Sequence, residues 1–303
     1  MSAVPAATSV ADRIERIPRP DEPVPALAAP TVALFAAALA LWLGSGAMLL
    51  ADVWAWPLST ALNWLAAFMF FTVVHEASHR TISTREEVNT WFGRVSMLFL
   101  DPVAPFQLFR FVHMQHHRFT NDEEKDPDFF SSHGKGWSLP FRWALIDINY
   151  LRYYVPQLGS RPQGERSEAI GTFLLAVTIA TAAIALGYGF ELLVLWIVPS
   201  RLAILGLGFA FDYLPHHGLP SPEKPDQFKT TRNRVGLERL LTPLLLYQNY
   251  HLVHHLHPII PFYRYIAVWR RNEDRYLTRE PPLVTPLGRP LTVDEYRRLR
   301  ELH

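Results

Sequence analysis

Charged side chains are missing from four long stretches of this chain. From Pro23 to Ala51 there is no Asp, Glu, Lys or Arg over 29 residues, Val53–Val74 and Ala169–Phe190 are each 22 residues without a charge, and Leu192–Phe211 is interrupted only by Arg201. A 22-residue helix is about 33 Å long at 1.5 Å per residue, enough to cross the hydrocarbon of a bilayer. Three separate charge-free runs of this length exceed what a soluble core requires, so the pattern predicts four transmembrane helices. Trp91–Val112 is also apolar, but Asp101, Pro102, Pro105, Gln107 and Arg110 interrupt it. That segment is predicted to be interfacial, re-entrant or a helical hairpin that does not emerge, because a fifth crossing would move the polar residues after it to the other face. The aromatics Phe68, Phe70, Phe71 and Trp91 read as lipid-facing or core residues.

Charge gives this frame an orientation. The turns around Ala51–Pro57 and Leu186–Glu191 hold no Lys or Arg, whereas 28 of the 29 basic residues fall in the first 30 residues, between Arg80 and Arg166, or after Asp212. The positive-inside rule then places both termini and both large polar regions in the cytoplasm. The first 22 residues, with Arg13, Arg16, Arg19 and several prolines, read as a tail and not as a signal peptide. The expected organisation is a disordered cytoplasmic tail over 1–26, a membrane domain with a cytoplasmic cap over 27–280 (the cap drawn from 118–166 and the chain after 218), and a C-terminal arm over 281–303 ending in a short helix. The expected class is all-α, a four-helix transmembrane bundle whose cytoplasmic helical cap holds a histidine-rich two-metal site. With 29 Lys and Arg against 28 Asp and Glu, no basic face for nucleic acid is indicated.

The chain has no cysteine, so any metal rests on histidine and carboxylate. Of 13 histidines, 11 fall in four windows covering 75–79, 113–117, 216–217 and 251–257. His75 and His79 are four apart and share a helix face; His113, His116 and His117, and again His251, His254 and His255, stand at i, i+3 and i+4, within about 100° of arc. Eight histidines from the spaced windows with His216 or His217 make nine nitrogen donors, too many for one tetrahedral zinc and suited to two metal ions with open positions. With no thiolate available, a di-iron centre that activates O2 is the preferred reading, and its ligands must be neutral to bind.

The three boxes HxxxH, HxxHH and HxxHH resemble those of the membrane fatty-acid desaturase and hydroxylase superfamily, over a stretch from about His75 to Tyr265. Asn249–His255 followed by Pro261–Tyr265 looks most like the bacterial branch of β-carotene hydroxylases and related acyl desaturases. The resemblance implies metal ligation by His75, His79, His113, His116, His117, His251, His254 and His255, with His216 as the ninth histidine. It also draws attention to Asp212, four residues earlier, where some relatives carry an Asn near the metal. An Asp there would bind iron, hold a water or orient a histidine, or else pair with a nearby Arg. Glu76 is expected to hold a histidine N–H, Asp126 or Asp128 to orient a ligand, and His217 to stand near the centre.

The implied activity is O2-dependent desaturation or hydroxylation of a long apolar lipid chain, with carotenoid ring hydroxylation as the alternative. Each turnover needs two electrons, and no cluster cysteine, Rossmann glycine fingerprint or haem domain is visible, so a separate ferredoxin-like or other reductase donor is expected. His75-Glu76-Ala77-Ser78-His79 is also HExxH, which makes an intramembrane zinc peptidase the rival reading; it leaves six or more clustered histidines without a role. A metal transporter would place ligands within the spans. Arg201 pairs with a carboxylate or faces the bundle, while Arg264, Arg270, Arg271 and Arg275 form a basic strip attractive to an acidic donor or anionic lipid. His257 is expected to hydrogen-bond near the site, and His133 and His303 have no assigned role.

Overall fold

The computed structural model describes residues 17–219 and 226–301. Helix α1 (Ala29–Leu50) and helix α2 (Trp56–His79) each carry a proline in the first turn, where its missing N–H costs nothing. α2 stops directly after His79 because Arg80 turns left-handed (φ 59°), letting Thr81 N–H reach Glu76 O at 3.1 Å. The apolar segment that follows is two helices, α3 (Glu86–Leu100) and α4 (Phe106–Phe119), each about 22 Å long and too short to cross a bilayer. They break at Asp101–Pro105, and the ring of Phe106 fills the space beside Gly93 that a Cβ would need.

Three short helices come next, α5 (Phe129–Ser132), α6 (Leu139–Ala144) and α7 (Ile146–Tyr154). Sequence places them in a solvated cap, yet Trp137, Phe141, Leu145, Ile148 and Val155 are all exposed. Their helical spacing makes an apolar stripe of the kind that lies in a membrane interface, while Ile146, Asp147 and Tyr154 face inward.

Helix α8 (Gln163–Ala185) buries no residue and meets the protein through α4, through Arg94 of α3, which donates to Glu168 at 2.6 Å, and through the start of the fourth apolar helix. That fourth helix runs from Gly189 to His216 and contains two π-helical stretches, Leu193–Ile197 and Gly208–Tyr213. Thr60 and Asn63 of α2 donate to the carbonyls of Val194 and Leu195 at 2.8 and 2.7 Å, which satisfies backbone loosened by the first stretch. The four predicted apolar helices are therefore present, but they do not form a closed bundle. α2 is the centre, with α1, α3 and the fourth helix around it and Phe35, Phe70, Phe92 and Phe211 in the shared core. α8 stands outside because it is apolar all round and has no one-sided stripe to bury.

The C-terminal part builds a second core. Tyr250, Trp269, Tyr276 and Tyr296 gather the helices His251–Leu256, Tyr265–Leu277 and Val293–Glu301. Among the described residues the only strands are β1 (Asn233–Arg234), β2 (Leu283–Val284) parallel to it, and β3 (Pro290–Leu291) antiparallel to β2. Of the expected tail, residues 1–16 lie outside the described residues, as does His303. Residues 17–26 have no regular structure, and Glu22 there accepts from Arg271 at 2.5 Å and lies 3.7 Å from Arg264. Two of the four arginines of the predicted basic strip thus share one carboxylate, which offsets one of the strip's four charges.

Candidate metal centre

Four helices deliver the histidines to one place. His75 and His79 end α2, His113, His116 and His117 lie on the last turns of α4, His216 ends the fourth helix, and His251, His254 and His255 occupy the helix His251–Leu256. The last of these is set by consecutive left-handed residues, Leu246 (φ 44°) and Tyr247 (φ 68°), a costly backbone for non-glycine residues. The nine rings divide into two groups, His75, His79, His113, His117 and His254 in one, and His116, His216, His251 and His255 in the other; within each, one ring nitrogen per residue lies within 4.8 Å of all the rest.

The contacts inside these groups show what would fit. Nε2 faces Nε2 at 3.0 Å for His75–His254, 2.9 Å for His117–His254, 3.2 Å for His113–His117 and 2.8 Å for His79–His113. In the other group the separations are 3.3 Å for His116–His255, 3.1 Å for His251–His255 and 3.1 Å for His216–His251. A neutral imidazole has one N–H. His116 spends its own at Nδ1, donating to Asp126 Oδ1 at 2.9 Å, and His251 donates from Nδ1 to Gln248 Oε1 at 2.6 Å. In the neutral form that ligation requires, both aim a bare Nε2 lone pair at His255, which can donate to at most one of them. Lone pairs converging in a buried site call for a cation between them, and an all-imidazole donor set suits a transition metal.

The electrostatics agree with that demand. Burial, then neighbouring imidazoles, hold His113, His117, His254 and His255 well below the ordinary histidine range; His251 is lowered by burial and by His116 and His75. These rings are neutral at pH 7, as ligands must be. His116 is the exception: burial pulls it down, but Asp126 first and Asp128 second outweigh this and push it up to about 9. Asp128 in turn accepts from Tyr150 OH at 2.6 Å, so the acidic segment after the second box orients a histidine as expected, with both carboxylates taking part. Tyr265, which lies 2.9 Å from His254 Nδ1 through its hydroxyl, was not singled out in the sequence.

Other candidates fall elsewhere. His217 turns away, donating from Nδ1 to Ser132 O at 2.9 Å and stacking on Tyr213, so the ninth ring is His216. Asp212 is in neither group; its Oδ2 accepts from Ser131 Oγ at 2.9 Å. His257 meets Tyr276 OH at 2.7 Å in the second core, away from the nine rings. Glu76 does not hold a histidine N–H: its Oε1 is 3.8 Å from His75 Nδ1, while Oε2 accepts from Thr81 Oγ1 at 2.7 Å and from Phe262 N–H at 3.1 Å. Adjacent helix residues do not face each other, so the carboxylate next to His75 is directed to another wall. A buried carboxylate occupied in this way is badly placed as the base of a peptidase, and two groups of five and four rings exceed what one zinc uses.

A narrow apolar cavity, with about 50 Å³ of space open to a water-sized sphere, is lined by Phe71, Phe109, Tyr150, Leu207, Gly208 and Asp212 among others. Phe71 and Phe109 each lie four residues before a histidine of the five-membered group. A second, wider cleft, walled by Arg80, Arg110 and Arg161, reaches His79.

Helices long and apolar enough to cross a bilayer thus come with a largely buried cluster of nine imidazoles that could hold metal, beside an apolar cavity. Residues 51–286 match the profile of the fatty acid desaturase family, and the chain belongs to that family. It is 30% identical over 240 residues to a dihydrorhizobitoxine desaturase of Bradyrhizobium elkanii, covering 69% of this chain and 65% of that one, just under two thirds of its length. It is 30% identical over 205 residues to a β-carotene ketolase of a Paracoccus species, covering 67% and 74%. An sn-1 oleoyl-lipid 12-desaturase of Arthrospira platensis is 26% identical over 245 residues, covering 70% and 67%.

Proposed function

We propose that this protein is a membrane di-iron oxidoreductase that uses O2 to desaturate or hydroxylate a long apolar lipid chain. The observation that carries the reading is the division of nine histidine nitrogens into groups of five and four beside an apolar cavity. His75, His79, His113, His117 and His254 would hold one iron, and His116, His216, His251 and His255 the other. Bound there, the irons supply, with O2 and two electrons, an oxidant strong enough for an unactivated C–H bond, which no acid or base on the chain could attack. The rest is the work of the protein. Asp126 and Gln248 keep the N–H of His116 and His251 on Nδ1 and so present Nε2 inward. Phe71, Phe109 and Leu207 keep water from the chain in the cavity and fix which carbon lies nearest the histidines, which decides between a hydroxyl and a double bond.

The names of the relatives support both an acyl chain and, as the second substrate class, a carotenoid ring. Basic residues on one side of the spans support a centre, and both termini, on the cytoplasmic face. The absence of cysteine supports a separate ferredoxin-like or other reductase as electron donor. Protein purified in mild detergent from iron-supplied cells is expected to carry near two irons and little zinc per chain, and to give an O2-dependent product from lipid extracts. Near one zinc per chain, with exchange during purification excluded, would overturn the proposal.

A further inference from the structure

The cavity beside the centre is not apolar throughout. Its lining continues from Phe71 and Asp212 to Asp101, at the break between α3 and α4, and Asp147, in the first turn of α7. Asp147 is 8% exposed; its Oδ2 accepts from Arg201 Nη2 at 2.7 Å, but its Oδ1 is buried with no hydrogen-bond partner. Asp101, equally buried, lies on the same wall. One oxygen of Asp147 is therefore left over, and a buried acceptor without a donor is costly.

The chemistry of that orphan limits what fills the cavity. A hydrocarbon end leaves Oδ1 unsatisfied, and a carboxylate end brings a further negative charge against Asp147 and Asp101. A hydroxyl or amine donates to it. We infer that the cavity takes a long-chain substrate whose remote end carries a hydrogen-bond donor, received by Asp147 beside Asp101, with Arg201 positioning Asp147. The inference rests on the oxidase reading and adds to it the polar end group of the substrate. It also makes the donor end the ruler of the reaction. Because Asp147 and the histidines are both fixed by the fold, oxidation falls a fixed number of carbons from the donor whatever the chain length.

The test uses the full-length protein in detergent, as isolated, with its iron content measured on the same sample. Octadecane, octadecan-1-ol, octadecylamine and octadecanoate are titrated by thermal shift, which reports affinity without turnover. The alcohol, the amine or both are expected to bind at least about tenfold tighter than the alkane, and octadecanoate weaker than the alcohol. Which of the two donors binds tighter identifies the end group. In the double variant Asp147→Leu/Arg201→Met, which removes both charges of the pair together and so leaves neither unpaired, the preference disappears. Equal binding of octadecane, octadecan-1-ol and octadecylamine by the wild-type chain overturns the inference without reference to any variant, and so does a preference that survives in the double variant. Iron and product with no preference sinks this inference alone; a preference without iron or product sinks the oxidase reading instead.

Discussion

Replacing Asp126 by Asn tests how far the centre depends on one carboxylate that never touches a metal in this reading. The carboxylate takes three donors, His116 Nδ1–H at 2.9 Å, Asp128 N–H at 2.9 Å and Asn121 N–H at 2.7 Å. An amide has one oxygen to offer. Placed at Oδ1, it keeps His116 and Asp128 but sets its NH2 against Asn121 N–H; placed at Oδ2, it sets NH2 against His116 and forces the N–H of that ring to Nε2. Either way a charge-assisted bond of about 1.5–3 kcal/mol is weakened or lost and a buried donor goes unpaired. Loss of such a partner costs about 10–100-fold in metal affinity, the same size as about 1.4–2.8 kcal/mol. In a graded chelator challenge, with metal per chain read after each step, Asp126→Asn should fall from two ions towards one at about 10–100-fold lower chelator than wild type, because the five-membered group does not include His116. Tyr150→Phe, which removes only the bond to Asp128, should stay within a few-fold of wild type. A chelator profile of Asp126→Asn identical to wild type would refute the reasoning.

His254→Ala and His251→Ala each remove one ring from a different group; each should retain near one metal per chain, insert normally into membranes and lose oxidation, and turnover by either would contradict the two-group arrangement. Metal-stripped protein should be most stable at about pH 6.5, losing stability on both sides. On the acid side, the lowered values of His113, His117, His251, His254 and His255 mean that the unfolded chain takes up protons that the folded one does not, so stability falls as pH drops below about 6.5. On the alkaline side, His116, raised to about 9, contributes stability that is complete below the unfolded value and fades as pH rises through about 9. A thermal midpoint that climbs steadily from pH 7 to pH 5 would contradict the first half of this. Glu76→Gln should cost about 1–3 kcal/mol in unfolding free energy, through Thr81 and Phe262, and leave metal content unchanged; loss of metal would return Glu76 to the centre.

The parts of this protein that were legible in its sequence are those whose physics is local. Four apolar helices follow from missing charge, and eight of the nine converging rings follow from spacings of three and four on helices, with no knowledge of the partners; the ninth, His216, came from the family resemblance. What escaped was decided by distance along the chain or by a search tuned to the wrong signal. The stripe Trp137, Phe141, Leu145, Ile148 and Val155 has helical spacing, but Arg142, Asp147 and Arg152 run between its members, and a search for charge-free windows passes over an amphipathic segment. Asp147 and Arg201 are 54 residues apart, and nothing near either one names the other. Glu76 is the instructive case, because its misplacement came from reading sequence adjacency as spatial adjacency. Successive residues on a helix point about 100° apart, so a carboxylate beside His75 is directed by geometry to a different wall. It meets Phe262, 186 residues on, and ties the chain beyond the third box to the end of α2. Close to where the histidines of the first and third boxes meet, at His75 and His254, that bond is a second tie between the same two stretches of chain.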